Sequence, residues 1–235
     1  MRTVGKRIPA LAIYQLSVKA IRRSEGGNAK AAAAYRSGTK IENFDYTHRR
    51  GVADRFLLLP PAAPQWTRPQ LWDEAEQSEK RCNSVVAREV LIALPHELPL
   101  QARRKATETL CRFLVSRYQV AADAALHTPK RHHDSRNHHA HILMTTRRLS
   151  AQGLKEKTRE LDDRTTGPLE IEAIREEWAR ILKGFGFDLE HRRQSKAADN
   201  YQQIEAFPHG EPLRPSAPLS QAARSAPRRG LALTA

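Results

Sequence analysis

The sequence predicts an α+β domain, a sheet of about five strands interleaved with three or four helices that cover one of its faces. Three observations carry that reading. Segments of period-two or continuous apolar patterning alternate with segments of helical periodicity over the first 200 residues. Proline and glycine punctuate most of the changeovers. The two segments that bear most of the histidines are joined by a loop too short for a crossover, so they must pair antiparallel.

Leu11 to Val18 alternates, with Ala12, Tyr14, Leu16 and Val18 on one face and Gln15, Ser17 and Lys19 on the other, as a half-buried strand does. Gly26-Gly27-Asn28 then opens an alanine-rich helix for which Asn28 is the N-cap and Gly38 the stop. Phe56 to Leu59 is a short apolar strand closed by Pro60-Pro61. Pro69 to Arg81 reads as a helix with Pro69 in its first turn and Leu71, Trp72 and Ala75 on one face. Ala87 to Leu94 is a strand ended by Pro95, and Leu100 to Tyr118 is an amphipathic helix with Ala106, Leu110, Phe113 and Leu114 at helical spacing. Ala121 to His127 and His138 to Thr146 are the paired strands. Leu169 to Phe185 is a further helix ended by glycines, and Phe187 to His191 a last short strand.

A chain of 235 residues suits one globular domain with an appendage. Residues 1–200 form the domain. Residues 201–235, interrupted by Pro208, Pro212, Pro215, Pro218 and Pro227, bury too little apolar surface to offset their ordering entropy and read as a disordered basic tail. No apolar run approaches the roughly 18 residues of a membrane span. The start has no continuous apolar core of a secretory signal. Two cysteines, Cys82 and Cys111, build neither a disulfide framework nor a zinc motif, so a reducing, cytoplasmic location is expected. The formal charge is +14; from Arg192 onward seven Lys/Arg face three Asp/Glu, which leaves +10 for the preceding body. A polyanion partner is the first explanation, a merely basic solvated surface the competing one.

Six of the ten histidines fall between positions 127 and 141. On a strand, His139 and His141 project from one face while Ala140, Ile142 and Met144 face the other. Two imidazoles on one strand are half of a metal site, and His127, ending the neighbouring strand, can bring a third nitrogen to the same point. Three neutral imidazoles leave coordination positions open, so a bound ion could act as a Lewis acid. A closed structural site would need one more ligand, for which His138, His132 or a cysteine are candidates. The histidines could equally serve only as hydrogen-bonding groups.

Tyr35 lies in AAAAYRSG near the end of the alanine-rich helix. It either packs against a core or serves as a nucleophile; the alanines leave a smooth surface that a nucleic-acid strand or the sheet itself could approach. With a pKa near 10 a phenol needs help to attack, which a metal-bound phosphate and nearby cations provide. Glu89, a carboxylate within AREVLIAL, needs a partner. It could orient a ligand histidine, accept the tyrosine proton, pair with an arginine, or face solvent from an edge strand. The cations expected to meet phosphate are Lys19, Arg36, Lys40 and Arg88 in the body, and Lys130, Arg131, Arg136 and Arg147 in and beside the histidine loop.

AIYQLSVKAI with AAAAYRSG, then NSVVAREVLIALP, then ALHTP with DSRNHHAHILMTTR, in that order and over roughly residues 10–195, resemble the MobA/MobL plasmid mobilisation relaxases of the His-hydrophobic-His (HUH) endonuclease class. The resemblance implies a central antiparallel five-stranded sheet flanked by helices, with the metal-binding histidines on adjacent central strands. It implies Tyr35 as the catalytic tyrosine, His127, His139 and His141 as ligands of a divalent ion, Mg²⁺ or Mn²⁺, and Glu89 as an acidic site residue. The loop departs from the expected pattern at His133, where a glycine usually precedes the aspartate. The implied activity is strand-specific nicking at a plasmid transfer origin through a 5′-phosphotyrosyl intermediate, followed by religation. The implied partners are single-stranded origin DNA, accessory mobilisation proteins, a coupling protein and a separate helicase. Larger relatives carry helicase or primase domains after the relaxase, so unwinding is expected from elsewhere, or the chain is a truncated copy. The competing readings are a metal-dependent nuclease in which water attacks, and a non-catalytic DNA-binding accessory protein.

Overall fold

The computed structural model describes residues 15–129 and 134–187. Its centre is a five-stranded antiparallel sheet of β1 (Leu16–Arg22), β4 (Val52–Leu58), β5 (Val85–Leu94), β6 (Ala122–His127) and β7 (His138–Met144), in the order β1-β5-β7-β6-β4. The helices are α1 (Ala29–Ser37), α2 (Arg68–Ser78), α3 (Leu100–Tyr118) and α4 (Thr166–Gly184). Two small hairpins complete it: β2 (Lys40–Ile41) with β3 (Phe44–Asp45), and β8 (Arg147–Ser150) with β9 (Gly153–Lys157).

Helices cover both faces, not the one expected, and the register shows why. Val90, Ile92 and Leu94 of β5 line up with Ala140, Ile142 and Met144 of β7 and with Ala122, Ala124 and Leu126 of β6. This face packs against Ala106, Leu110 and Leu114 of α3 and Ile174, Trp178 and Leu182 of α4. The alternate residues form the opposite face, where Ala87 and Leu143 pack with the alanines of α1 and with Leu71 and Trp72 of α2. β5 is buried along almost its whole length, so both of its faces need a covering layer.

Local chemistry sets α1. The side chain of Asn28 accepts a hydrogen bond from the Ala31 amide, and Gly38 terminates the helix at φ 59°. Oε2 of Glu76 on α2 accepts from the Ala29 amide at 2.6 Å, placing a carboxylate on the positive end of α1. Gly27 approaches so closely that a Cβ there would lie 2.6 Å from the Arg22 carbonyl oxygen. The smooth alanine surface is used by the protein itself, since Ala29 and Ala31 to Ala34 are all buried.

Most boundaries fall within a few residues of expectation. The first strand runs later than Leu11 to Val18, its expected opening lying outside the described residues. The Phe56 strand starts earlier, at Val52; the second helix stops at Ser78, and the last begins at Thr166. The expected strand 187–191 lies, Phe187 apart, outside the described residues, as does the tail 201–235. No helix among the described residues is long and apolar enough to cross a membrane.

Candidate metal centre

The central strand β7 carries the site. His139 stands directly opposite His127 of β6, and His141 follows two residues along on the same face. All three rings are buried, their centroids 4.7 to 5.2 Å apart. One ligand nitrogen from each lies within 4.8 Å of the others.

Hydrogen bonds fix the tautomers. Nε2 of His127 bonds the Arg36 carbonyl oxygen at 2.7 Å. Nδ1 of His139 bonds the Asn137 carbonyl oxygen at 3.2 Å, and Nδ1 of His141 bonds Oε1 of Glu89 at 2.6 Å. Carbonyl and carboxylate oxygens only accept, so each of these nitrogens carries the hydrogen and the other ring nitrogen presents a lone pair. Nε2 of His141 is buried without a hydrogen-bond partner, at a cost of about 1–3 kcal/mol that a bound cation removes. Burial and the neighbouring His141 push His127 down to about 3. Burial also lowers His141 despite the opposing pull of Glu89. His127 and His141 are therefore neutral at ordinary pH, the state that binds a cation. The residues fit a divalent ion.

Glu89 faces the same side, on β5. Its Oε1 accepts from Nε of Arg36 at 2.5 Å as well as from His141, and its Oε2 accepts from Nη2 of Arg36 at 3.1 Å. Burial opposes ionisation, but the Arg36 guanidinium and the His141 hydrogen bond outweigh it and hold the carboxyl below the usual carboxylate range. Of the roles open to Glu89, orienting a histidine, His141, and pairing with an arginine, Arg36, are the two its contacts show; so committed, it is a poor acceptor for a tyrosine proton.

Tyr35 is half-buried in the last turn of α1, one residue before Arg36. Its ring meets Tyr46 edge-on, with centroids 5.2 Å apart, and the Arg49 guanidinium lies 3.7 Å above it. Arg49 also acts electrostatically on His127 and His141. Neither Tyr46 nor Arg49 was expected here; the only sequence signal was a run of aromatic and basic residues shortly after the helix stop.

The expected cations divide. Lys19 and Lys40 are exposed, Lys19 on the triad's side of the sheet opposite Glu89. Arg136 is exposed and pairs with Asp134 at 2.8 Å. Arg36 and Arg88, expected at phosphate, are instead buried, 6% and 2% exposed, and are engaged internally by Glu89 and Asp162. A buried guanidinium needs a carboxylate partner, here the buried Glu89 for Arg36 and the exposed Asp162 for Arg88. Arg147 is held by Glu79 at 2.8 Å and by the Lys155 carbonyl. Lys130 and Arg131, with His132 and His133, lie outside the described residues. Among the described residues, the fourth-ligand candidates stand apart from the triad. His138 points to the other face and takes a hydrogen bond from Arg103 at 2.7 Å; Cys111 is buried in α3 and Cys82 is exposed.

Residues 28–206 match the model of the MobA/MobL family. The chain is 33% identical over 243 residues to "Mobilization protein MobL" of Acidithiobacillus ferridurans, covering 89% of this chain and 63% of that protein. It is 27% identical over 165 residues to "Conjugal transfer protein TraA" of Agrobacterium fabrum, covering 63% of this chain and 14% of that protein. The chain thus spans less than two thirds of either relative. A solved structure described as "Molecular Basis of Vancomycin Resistance Transfer in Staphylococcus aureus" matches with a TM-score of 0.64 at 24% identity, over 76% of this chain and 96% of that one, a likeness of fold.

Proposed function

The chain belongs to the MobA/MobL family, and on that premise we propose that it is a DNA relaxase, nicking and religating one strand at a plasmid transfer origin with Tyr35 as nucleophile. The observation that carries the reading is the convergence of three buried imidazoles beside the helix end that holds the tyrosine.

The tyrosine oxygen attacks the phosphorus of the scissile phosphodiester. An oxygen–phosphorus bond to Tyr35 forms and the bond from phosphorus to the 3′ oxygen breaks, leaving a 5′-phosphotyrosyl enzyme and a free 3′-hydroxyl. The phenolic proton passes to solvent and the departing oxygen regains one. Bond number is conserved, so the reverse attack reseals the strand. The Arg49 guanidinium stabilises negative charge developing at the Tyr35 oxygen and the phosphate. Glu89 and Arg36 hold the histidines in their ligating tautomers. A divalent ion held by His127, His139 and His141 would supply Lewis-acid polarisation of the phosphate. An all-imidazole donor set suits a first-row ion such as Mn²⁺ better than Mg²⁺, which prefers oxygen. Lys19, Lys40, Lys130, Arg131 and Arg136 are the cations proposed to hold the single strand.

The test incubates the protein with single-stranded transfer-origin DNA and Mn²⁺ or Mg²⁺ and resolves the products on a denaturing gel. A protein–DNA adduct is expected with the wild type and none with Tyr35→Phe. An adduct with Tyr35→Phe overturns the nucleophile. Nicking by the wild type without an adduct assigns the attack to water, and DNA binding that no metal alters leaves a non-catalytic binding protein.

A further inference from the structure

We infer that Arg36 is a positioning residue that couples the Tyr35-bearing end of α1 to occupancy of the three-histidine site, so that metal binding and placement of the nucleophile's helix are one equilibrium. The inference rests on the reading of the site as a metal centre and extends it.

In sequence Arg36 is one more cation beside the tyrosine. In the fold it reaches the triad through both of its ends. Its carbonyl oxygen accepts from Nε2 of His127 at 2.7 Å, on β6. Its guanidinium grips the Glu89 carboxylate on β5 through Nε and Nη2, and that carboxylate accepts from Nδ1 of His141 on β7. The third guanidinium nitrogen, Nη1, donates to the Ala32 carbonyl one turn back at 3.1 Å, bracing the side chain against its own helix. One residue therefore joins α1 to the three central strands, and it sets the tautomers of two of the three histidines.

Tautomer is what makes the coupling energetic. His127 presents the Nδ1 lone pair only while Nε2 carries its hydrogen, and the Arg36 carbonyl is what holds the hydrogen there. His141 presents Nε2 only while its Nδ1–H donates to Glu89, and the two contacts from the Arg36 guanidinium are what aim that carboxylate. If the last turn of α1 slides, both lone pairs are lost together. If an ion takes both lone pairs, both hydrogen bonds are enforced and the turn is held. The coupling is reciprocal, the helix gaining from the ion by the same factor as the ion gains from the helix. Tyr35, the preceding residue in that turn, is placed by the same contacts.

The probe is Mn²⁺ alone, titrated into the full chain without DNA, with affinity measured by calorimetry and amide hydrogen exchange followed in residues 29–37. The wild type is compared with Arg36→Lys, which keeps the charge and loses the fork, and with Arg36→Met/Glu89→Gln, which leaves no unpaired buried charge and keeps an acceptor for His141. The expected results are slower exchange in the last turn of α1 when Mn²⁺ binds the wild type, affinity weakened roughly 10- to 100-fold in both variants, and an α1 response to metal that is lost in them. A merely structural Arg36 would change melting temperature and leave that metal response intact. Wild-type protein that binds Mn²⁺ with no change of exchange in α1 overturns the coupling, as do variants within about twofold of wild-type affinity. Wild-type protein that binds no Mn²⁺ overturns the metal-centre reading itself, and the coupling with it.

Discussion

A buried histidine that resists protonation makes the fold sensitive to acid. Folded His127 takes up a proton only near pH 3, whereas in the unfolded chain it does so near 6.5. Between those values the unfolded chain binds more protons, so stability rises with pH across the window and falls on acidification. Glu89 acts with the same sign: its folded carboxyl titrates below the usual range, so its stabilisation is present above the unfolded value and drains away as pH falls through the folded one. Metal-free protein should therefore lose melting temperature steadily below pH 6.5, and His127→Gln should flatten that slope; an unchanged slope would show that the neutral imidazole is not its source. The two cysteines give a second check. Burial, with Asp123 and Glu108 nearby, pushes the Cys111 thiol up, whereas Cys82 is exposed. A native thiol titration should label one cysteine, and rapid labelling of both would contradict the buried position of Cys111. At this scale the histidines were legible because strand geometry alone puts positions 139 and 141 on one face. Glu89 was legible because a carboxylate among apolar residues demands a partner. Arg36 was misread because charge does not reveal burial. Arg49 and Tyr46 were not legible, since only tertiary folding carries the segment between β3 and β4 back over Tyr35.

Elements in this fold are fastened by single polar residues, so single substitutions should report on whole segments. Glu79, at the end of α2, is buried and receives Arg147 of β8 at 2.8 Å and Lys157 of β9 at 2.6 Å, one carboxylate pinning both strands of the small hairpin. Glu79→Gln removes the charge from both contacts. Because the two cations retain some access to water, the expected cost is about 1–3 kcal/mol, and amide exchange should quicken in β8 and β9 well before the central sheet. Uniform quickening throughout would mean that the hairpin is not a separable unit. Asn28→Ala removes the cap of α1 and should cost about 1 kcal/mol in a melting measurement. The cap, the Gly38 stop and the 3.6-residue periodicity of α3 made those helices readable; α3 spans the same residues in sequence and structure. The hairpin was unreadable for a corresponding reason. Arg147 to Lys157 carries no apolar alternation, and its strands exist because Glu79 lies far away in sequence. The covering of both sheet faces was not legible because the second face of β5 and β7 carries Glu89, His139 and His141 among its apolar residues, and only the packing of α1 and α2 shows that it is buried.

For the molecule as a whole, +14 overstates what is available to a nucleic acid. Arg36, Arg68 and Arg147 each spend their charge on a buried carboxylate, and the buried Arg88 spends its charge on Asp162. Lys19 and Lys40 remain exposed, Lys19 on the sheet face that carries the histidines and Lys40 on the small hairpin that follows α1. Affinity for a single strand falls with the logarithm of salt concentration at a slope of about −0.7 for each phosphate neutralised. Lys19→Ala and Lys40→Ala should therefore each reduce the magnitude of that slope by up to about 0.7 in an anisotropy titration of labelled single-stranded DNA. Arg88→Met should lower melting temperature by leaving Asp162 without its buried partner, yet leave the slope where it was. The contrast separates the two kinds of cation in one assay, since a buried ion pair acts on folding and an exposed lysine on counterion release. If Arg88→Met shifted the slope as the lysine variants do, the internal pairs would have to open on DNA binding and the charge would be latent rather than spent. If neither lysine variant moved it, the strand would follow a path away from the face that carries His127, His139, His141 and Tyr35, and the proposed nicking geometry would lose its electrostatic support.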